Sequence, residues 1–168
     1  MKITGYKFQH ALREAEHEHE ILGALFGESL MAFDGEEKDP QKIMEQYAAN
    51  EEKIVRLQVA QAQYNGTVTV VVLGHSVPLS YAVKAVGGAG RMEKMWRSAA
   101  KGPQKDRWER TSLTRNVDEI RALPTIDPST ATGMAKKAAR YASALREAIQ
   151  VGNATEIDIP ELEPALFE

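Results

Sequence analysis

The chain has 168 residues, a formal net charge of −3 and no cysteine. Its length is typical of one domain around one hydrophobic core, so we predict a single domain over residues 1–168. The lack of cysteine excludes disulfides and thiolate chemistry and favours a cytoplasmic setting. A slightly acidic chain argues against general nucleic-acid binding, which needs a basic surface. Because no apolar run has the length of a signal peptide or a membrane span, we expect neither secretion nor a membrane partner.

Two long helices are predicted in the first part of the chain. Apolar positions recur at alternating spacings of four and three from Tyr6 to about Phe33, and again from Ile43 to Tyr64. A short polar connection joins them, with Asp39 as the N-cap of the second helix and Pro40 at its first position. The short connection predicts an antiparallel helical hairpin whose two stripes contact each other. The stripes are Phe8, Leu12, Ala15, His19, Leu22, Phe26, Ser29 and Phe33, and Ile43, Tyr47, Asn50, Ile54, Leu57, Gln61 and Tyr64.

Three polar residues stand in these stripes where leucine gives more stability. They are His19, Asn50 and Gln61. Polar residues at such positions can set helix register or oligomeric state at a cost in stability, and partial exposure explains them equally well.

A strand is predicted directly after the second helix. Asn65-Gly66 tolerates positive φ and predicts a tight turn there, and Thr67 to Leu73 is rich in β-branched residues. Gly74-His75 is interpreted as a tight link, and Ser76-Val77-Pro78 as the start of a third helix. That helix has an apolar side but is interrupted by three glycines among residues 87–90. The apolar side is Leu79, Val83, Val86, Met92, Met95, Trp96 and Ala99.

The second half of the chain predicts an exposed loop, a further helix and short strands. Lys101 to Arg110 has the composition of an exposed loop. Val117 to Leu123 has the composition of a strand. The last helix begins at Asp127-Pro128 and ends at Gly152-Asn153. Ala154 to Ile159 alternates like a half-buried strand, and residues 160–168 are expected to form a loosely held tail.

These elements predict an α+β fold that is mostly α. A long antiparallel helical hairpin is accompanied by two further helices, with a small two- or three-stranded sheet at one end.

Four segments of the chain carry a resemblance to a known family: SLMAFDGEEKDP, AQAQYN, VVVLGHSVPLSYAV and RALPTIDPSTATGMAKKAARYASALREAIQVGNATEIDI. In their layout the chain resembles the septicolysin-like family of small uncharacterised bacterial and phage proteins. The resemblance implies a helical hairpin with a small sheet, a homo-oligomer and no established reaction. Of the basic and polar cluster that family members carry at the end of the second helix, only Asn65 corresponds. The toxin-like label is not transferred, because this sequence has no membrane-inserting segment.

Two basic groups are candidates for binding an anion. The glycines among residues 87–90 with Arg91 and Lys94 can bring backbone amides and positive side chains to a phosphate, although a helix break or a close helix crossing explains the glycines as well. Trp108 can stack a base among cationic neighbours, although a solvated loop with surface ion pairs accounts for the same composition. Those neighbours are Lys105, Arg107, Arg110 and Arg115.

Other candidate sites have a weaker sequence signal. His10, Glu14 and His17 project from one helix face and can share a metal, whereas a solvated acidic face explains them without one. The pair His75-Ser76 lacks the context of a nucleophile elbow, so helix capping by Ser76 is the simpler interpretation.

Gln61 and Asn65, near Tyr64, are candidates for lining a cleft between protomers. Capping and turn formation by Asn65-Gly66 is the structural alternative.

Three functions are consistent with this sequence. The first is a non-enzymatic oligomeric protein that binds or sequesters a small anionic or nucleotide-like ligand at subunit junctions, without a cofactor. The second is a structural or partner-binding helical scaffold that uses the heptad stripes. The third is a metal-dependent hydrolase built on His10, Glu14 and His17.

We predict a homo-oligomer, because the two stripes offer more apolar surface than one hairpin easily covers. Light scattering at micromolar concentration should give a mass at least twice that of one chain. The mass of a single chain would contradict this prediction.

Overall fold

Helices make up most of the computed structural model, which describes residues 1–34, 36–101, 125–160 and 162–167. Its helices are α1 (Gly5–Ser29), α2 (Pro40–Thr67), α3 (Leu79–Ala100) and α4 (Pro128–Ala154). Its strands are β1 (Lys2–Ile3), β2 (Thr69–Val72), β3 (His75–Pro78) and β4 (Ile157–Asp158), and a short 3₁₀ helix spans Pro164–Phe167. The predicted fold class, α+β and mostly α, is confirmed. Within the described ranges, every helix is too short or too polar to cross a membrane.

The chain divides into two compact units, each assembled from non-contiguous segments. The hairpin unit contains residues 1–69, 78–80 and 150–168, and the central unit contains residues 70–77 and 81–149. A single domain over residues 1–168 stays a prediction.

The helical hairpin of α1 and α2 follows the predicted pattern. The Asp39 carboxylate accepts a hydrogen bond from the Lys42 amide at 3.0 Å, and Pro40 occupies the first turn of α2, as predicted. Every member of the predicted α2 stripe is buried or half-buried. Inside the hairpin, Asn50 Nδ2 donates to the backbone oxygen of Ala15 on α1 at 2.8 Å. The hairpin is therefore built on the two stripes, which cover each other within one chain.

The first helix ends earlier than its stripe predicts. α1 stops at Ser29, and Phe33 is 81% exposed in the connection that follows. Lys38 Nζ donates to the backbone oxygens of Glu28 and Met31, each at 3.0 Å. These bonds satisfy carbonyl groups that the end of a helix leaves without partners, so the connection itself stabilises the earlier end.

The predicted turn at Asn65-Gly66 is wrong. α2 continues through both residues to Thr67, and the Val68 amide donates to the backbone oxygen of Tyr64 at 3.0 Å. Among the described residues, positive φ occurs instead at Leu73 (50°) and Gly74 (86°). Two adjacent positive φ angles suit a two-residue hairpin turn, because its twist matches that of the strands it joins.

This turn joins β2 to β3, which corrects a second prediction. β2 confirms the strand expected within Thr67 to Leu73. The predicted helix start at Ser76-Val77-Pro78 is wrong, because these residues belong to β3, which pairs with β2. α3 begins only at Leu79. Ser76 is consequently a strand residue and not a helix cap.

The glycines do not interrupt α3. The helix is continuous from Leu79 to Ala100. Among the described residues, a Cβ on Gly87 would meet the Arg91 guanidinium at 3.5 Å, and a Cβ on Gly90 would meet nothing within 4 Å. The predicted break is therefore wrong, and no tight contact with the described residues requires these glycines to lack a side chain.

The buried face of α3 agrees only in part with the predicted apolar side. Leu79 is fully buried as predicted, whereas Met92 and Met95 are exposed. Ala82 and Ala89, which the prediction left out, are buried. Small residues thus share the packed face of this helix with Leu79.

The last helix begins where the sequence predicts it. The Asp127 carboxylate accepts hydrogen bonds from the Ser129 hydroxyl and the Thr130 amide, and these bonds hold the pKa of Asp127 below its ordinary value. α4 runs to Ala154, so the predicted strand from Ala154 to Ile159 is reduced to β4.

The described strands form two separate two-stranded sheets. β4 pairs antiparallel with β1, with Ile3 opposite Ile157 and Lys2 opposite Asp158. β2 pairs with β3 in the other sheet. The strand predicted at Val117 to Leu123 lies outside the described residues, as does the predicted loop beyond Lys101.

The described part of the C-terminal tail contacts the hairpin. Leu166 is buried, and the Phe167 ring lies 5.4 Å from the Phe8 ring of α1. Arg56 on α2 forms an ion pair with Glu163 at 2.7 Å. Residues 162–167 thus lie against the hairpin, while a loosely held tail over residues 160–168 stays a prediction.

Tyr64 lies at the centre of the hairpin unit. Its side chain is fully buried, and its hydroxyl lies 2.6 Å from the backbone oxygens of both Gly152 and Thr155. Its ring centroid is 5.7 Å from that of Phe8. Burial raises the pKa of the Tyr64 hydroxyl, which therefore stays protonated and donates. This residue links α1, α2 and the end of α4.

The close packing around Tyr64 can be tested at Gly5, which has no side chain. A Cβ at this position would lie 2.5 Å from Asn153 Oδ1, 2.9 Å from Asn153 Cα and 2.9 Å from Tyr64 Cε1. We expect Gly5→Ala to lower the free energy of unfolding by about 2 kcal/mol, the typical cost of an overpacked core. Urea denaturation monitored by circular dichroism measures it.

Gly27→Ala is the matched control, because Gly27 lies in the same helix and a Cβ there would meet no described atom within 4 Å. It should raise the stability by up to about 1 kcal/mol through helix propensity alone. Equal effects of the two substitutions would contradict the packing described for Gly5.

Candidate anion-binding cleft

The last two turns of α3 carry a row of basic side chains. Lys94, Arg97 and Lys101 are spaced by three and four residues, which places them on one face of the helix. All three are exposed. Basic residues at the end of a helix also offset its dipole, so this row by itself does not define a binding site.

α4 contributes a fourth cation. Arg146 joins the row in lining one open cleft with a volume of about 560 Å³. In the same unit, the hydroxyls of Tyr81 on α3 and Tyr141 on α4 lie 3.4 Å apart. The remaining lining residues are Gly90, Glu93 and Ser98.

The charges around the cleft are unequal. Four cationic side chains face one carboxylate, that of Glu93. Arg97 Nη2 lies 2.7 Å from Glu93 Oε1, and the Glu93 side chain is only 17% exposed. The Glu93 carboxylate, on the same helix, therefore orients the Arg97 guanidinium. The described lining residues together still carry more positive than negative charge.

This set of side chains suits recognition of a phosphate or a carboxylate. Guanidinium groups offer paired donors to such oxygens, ammonium groups supply point charge, and the Ser98 hydroxyl adds a neutral donor or acceptor. The described lining residues include no histidine or other free base beside Ser98.

The two candidate residues on α3 have different placements. Lys94 lines the cleft, whereas Arg91 does not. The Arg91 guanidinium lies back over Gly87 and Gly88, 3.5 and 3.9 Å from the positions their Cβ atoms would occupy. Because these glycines lie inside a continuous helix, their amides are committed to helical hydrogen bonds and cannot form the predicted phosphate cradle.

The other predicted ligand-binding residues do not line this cleft. Gln61 and Asn65 are half-buried on α2, in the hairpin unit. The basic loop residues and their tryptophan lie outside the described residues, so their part in binding stays a prediction. They are Lys105, Arg107, Trp108, Arg110 and Arg115.

The predicted metal ligands do not assemble. His10 Nδ1 lies 2.9 Å from Glu14 Oε2, but both side chains are mostly exposed and His17 is not part of the pair. Over the described ranges, no group of three or more metal-ligating side chains comes together. His75 and Ser76 are exposed on β3, without the strand-to-helix turn that presents a nucleophile.

Sequence reasoning missed three of the four cations. Arg97 and Lys101 continue the helical spacing of Lys94, so periodicity within α3 could have identified them. Arg146 has no such signal, because its approach to α3 depends on how α4 packs in the folded unit.

Comparisons with known proteins identify the fold and no activity. No model of a known protein family matches this chain, and no curated protein matches it. The chain is similar in structure to a functionally unknown conserved protein from Corynebacterium diphtheriae, with a TM-score of 0.68 and 16% sequence identity. The similarity covers 94% of this chain and 100% of that protein. At this level of identity the likeness supports a shared fold alone.

Proposed function

We propose that this protein binds a small anionic ligand, phosphate-bearing and nucleotide-like in size, without converting it. The observation that carries the proposal is the cleft in which Lys94, Arg97, Lys101 and Arg146 face a single carboxylate that is already paired. A cytoplasmic setting, expected from the lack of cysteine, belongs to the same proposal.

The size of the cleft favours a ligand larger than inorganic phosphate. A volume of about 560 Å³ falls within the usual range for small-molecule sites. Four cations spread along two helices suit a ligand with more than one anionic group, such as a pyrophosphate or a nucleotide. The described cations come from one chain, so binding does not require a subunit junction, and a homo-oligomer stays a separate prediction.

A partner-binding role is the second candidate function. The stripes that suggested it are buried or half-buried inside the hairpin, except for Phe33. A different observation favours it, namely the exposed apolar side chains at the closed end of the hairpin, where Met31 is 82% and Phe33 81% exposed.

The anion proposal predicts stabilisation by ligand. Thermal denaturation should be measured with pyrophosphate, ATP and a cyclic nucleotide, because a ligand that binds only the folded state stabilises it by about 2.7 kcal/mol at 100 times its Kd. At least one of these probes should raise the Tm. Arg146→Glu should remove this rise, since it replaces a cation of the cleft by an anion.

Arg140→Glu is the matched control, because Arg140 is exposed on the same helix and does not line the cleft. It should keep the ligand-induced shift. Loss of the shift in both variants, or no shift of the parent with any probe, contradicts the proposal. Recovery of chemically altered ligand after denaturation would contradict its non-enzymatic part.

A further inference from the structure

The closed end of the helical hairpin presents apolar side chains to solvent. We call this region the tip surface and define it by Leu30, Met31, Phe33 and Met44, which are between 43% and 82% exposed. Beside them is an open groove of about 560 Å³, lined by residues of both helices. These are Phe26, Leu30, Pro40, Gln41, Met44, Glu45 and Ala48. Single exposed apolar residues are ordinary, but a contiguous apolar patch marks an interaction site.

The connection that carries Met31 and Phe33 is held by specific hydrogen bonds. The Glu36 carboxylate accepts from the Phe33 amide at 3.2 Å and pairs with Lys38 at 3.3 Å. Lys38 in turn donates to the backbone oxygens of Glu28 and Met31. The hydrogen bond from the Phe33 amide has the larger effect and the Lys38 ammonium the smaller, and both hold the pKa of Glu36 below its ordinary value. The Glu36 carboxylate is therefore charged at neutral pH.

Acidic residues are interspersed with these apolar residues along the chain, and Glu45 lines the groove itself. Residues 28–45 contain six carboxylates and two lysines, a net charge of −4. One of the lysines, Lys38, is already engaged by backbone oxygens and Glu36. The described carboxylates of this rim are Glu28, Asp34, Glu36, Glu37, Asp39 and Glu45.

We propose that the tip surface is a docking site for a basic amphipathic helix of a partner protein. Apolar anchors of such a helix at i, i+3, i+4 and i+7 would enter the groove, and its Lys and Arg residues would meet the acidic rim. Methionine side chains such as Met31 and Met44 adapt their shape to different anchors. Charge complementarity selects this occupant: two copies of the tip surface would bring like charges together, and an anionic lipid surface would be repelled.

The test uses the full-length protein and a fluorescent synthetic helix with leucine at i, i+3, i+4 and i+7 and lysine elsewhere. Fluorescence anisotropy should show saturable binding that weakens in high salt. A peptide with glutamate in place of lysine should not bind. The double variant Leu30→Ser/Met44→Ser should weaken binding by at least about tenfold, because it removes two apolar side chains that line the groove. Both side chains are exposed, so the fold should be unchanged by circular dichroism.

The matched control is Val55→Ser/Val59→Ser, which removes two exposed apolar side chains of α2 that lie at least 11 residues along the helix from Met44. It should bind the lysine peptide as the parent does. Equal binding by both double variants overturns the proposal, since it would show attraction to negative charge alone. If the parent protein is an oligomer and the tip variant dissociates it, the occupant is a second copy and the proposed partner helix is wrong. If the parent protein binds anionic vesicles and the tip variant does not, the occupant is a membrane and the proposed partner helix is likewise wrong.

Discussion

The hydroxyl of Tyr64 holds together the parts of the hairpin unit that are most distant in sequence. It lies 2.6 Å from two backbone oxygens, those of Gly152 and Thr155, at the point where α4 ends. A hydroxyl has one proton, so the two carbonyl oxygens share one hydrogen-bond donor. Removing the Tyr64 hydroxyl would leave both carbonyls without this donor. The contact needs the chain of α1 to pass close by, and glycine at position 5 leaves the space. This buried contact therefore joins α2 to the end of α4 beside the start of α1, and β1–β4 pairing adds a second link between the first and last residues.

Much of the fold could be predicted because it is encoded locally. Capping at Asp39 and Asp127 and the α2 stripe use short-range patterns, and the structure confirms them. The face of α3 was predicted only in part, because large apolar residues were given more weight than alanine. Leu79 is buried as predicted, but Ala82 and Ala89 are buried as well and Met95 is exposed. Hydrophobic size alone did not identify the packed side of this helix.

The turn and the cleft show why the remaining features could not be predicted. Asn65-Gly66 has the stronger turn composition, yet the helix continues through it, and the hairpin turn has a leucine, Leu73, at positive φ. No propensity rule favours leucine there, so pairing of the two strands decides the turn. In the cleft, Lys94 belongs to a periodic row, whereas Arg146 is added by tertiary packing. A sequence reports neither strand pairing nor helix packing directly.

The central claim is that an anion binds in the cleft between α3 and Arg146. The most direct test is a titration of the ¹⁵N-labelled full-length protein with pyrophosphate, followed by amide chemical shifts. Saturable shifts concentrated at residues 90–101 and around Arg146 are the predicted result. Shifts spread over basic residues of the whole surface without saturation, or saturable shifts located elsewhere, would contradict the claim.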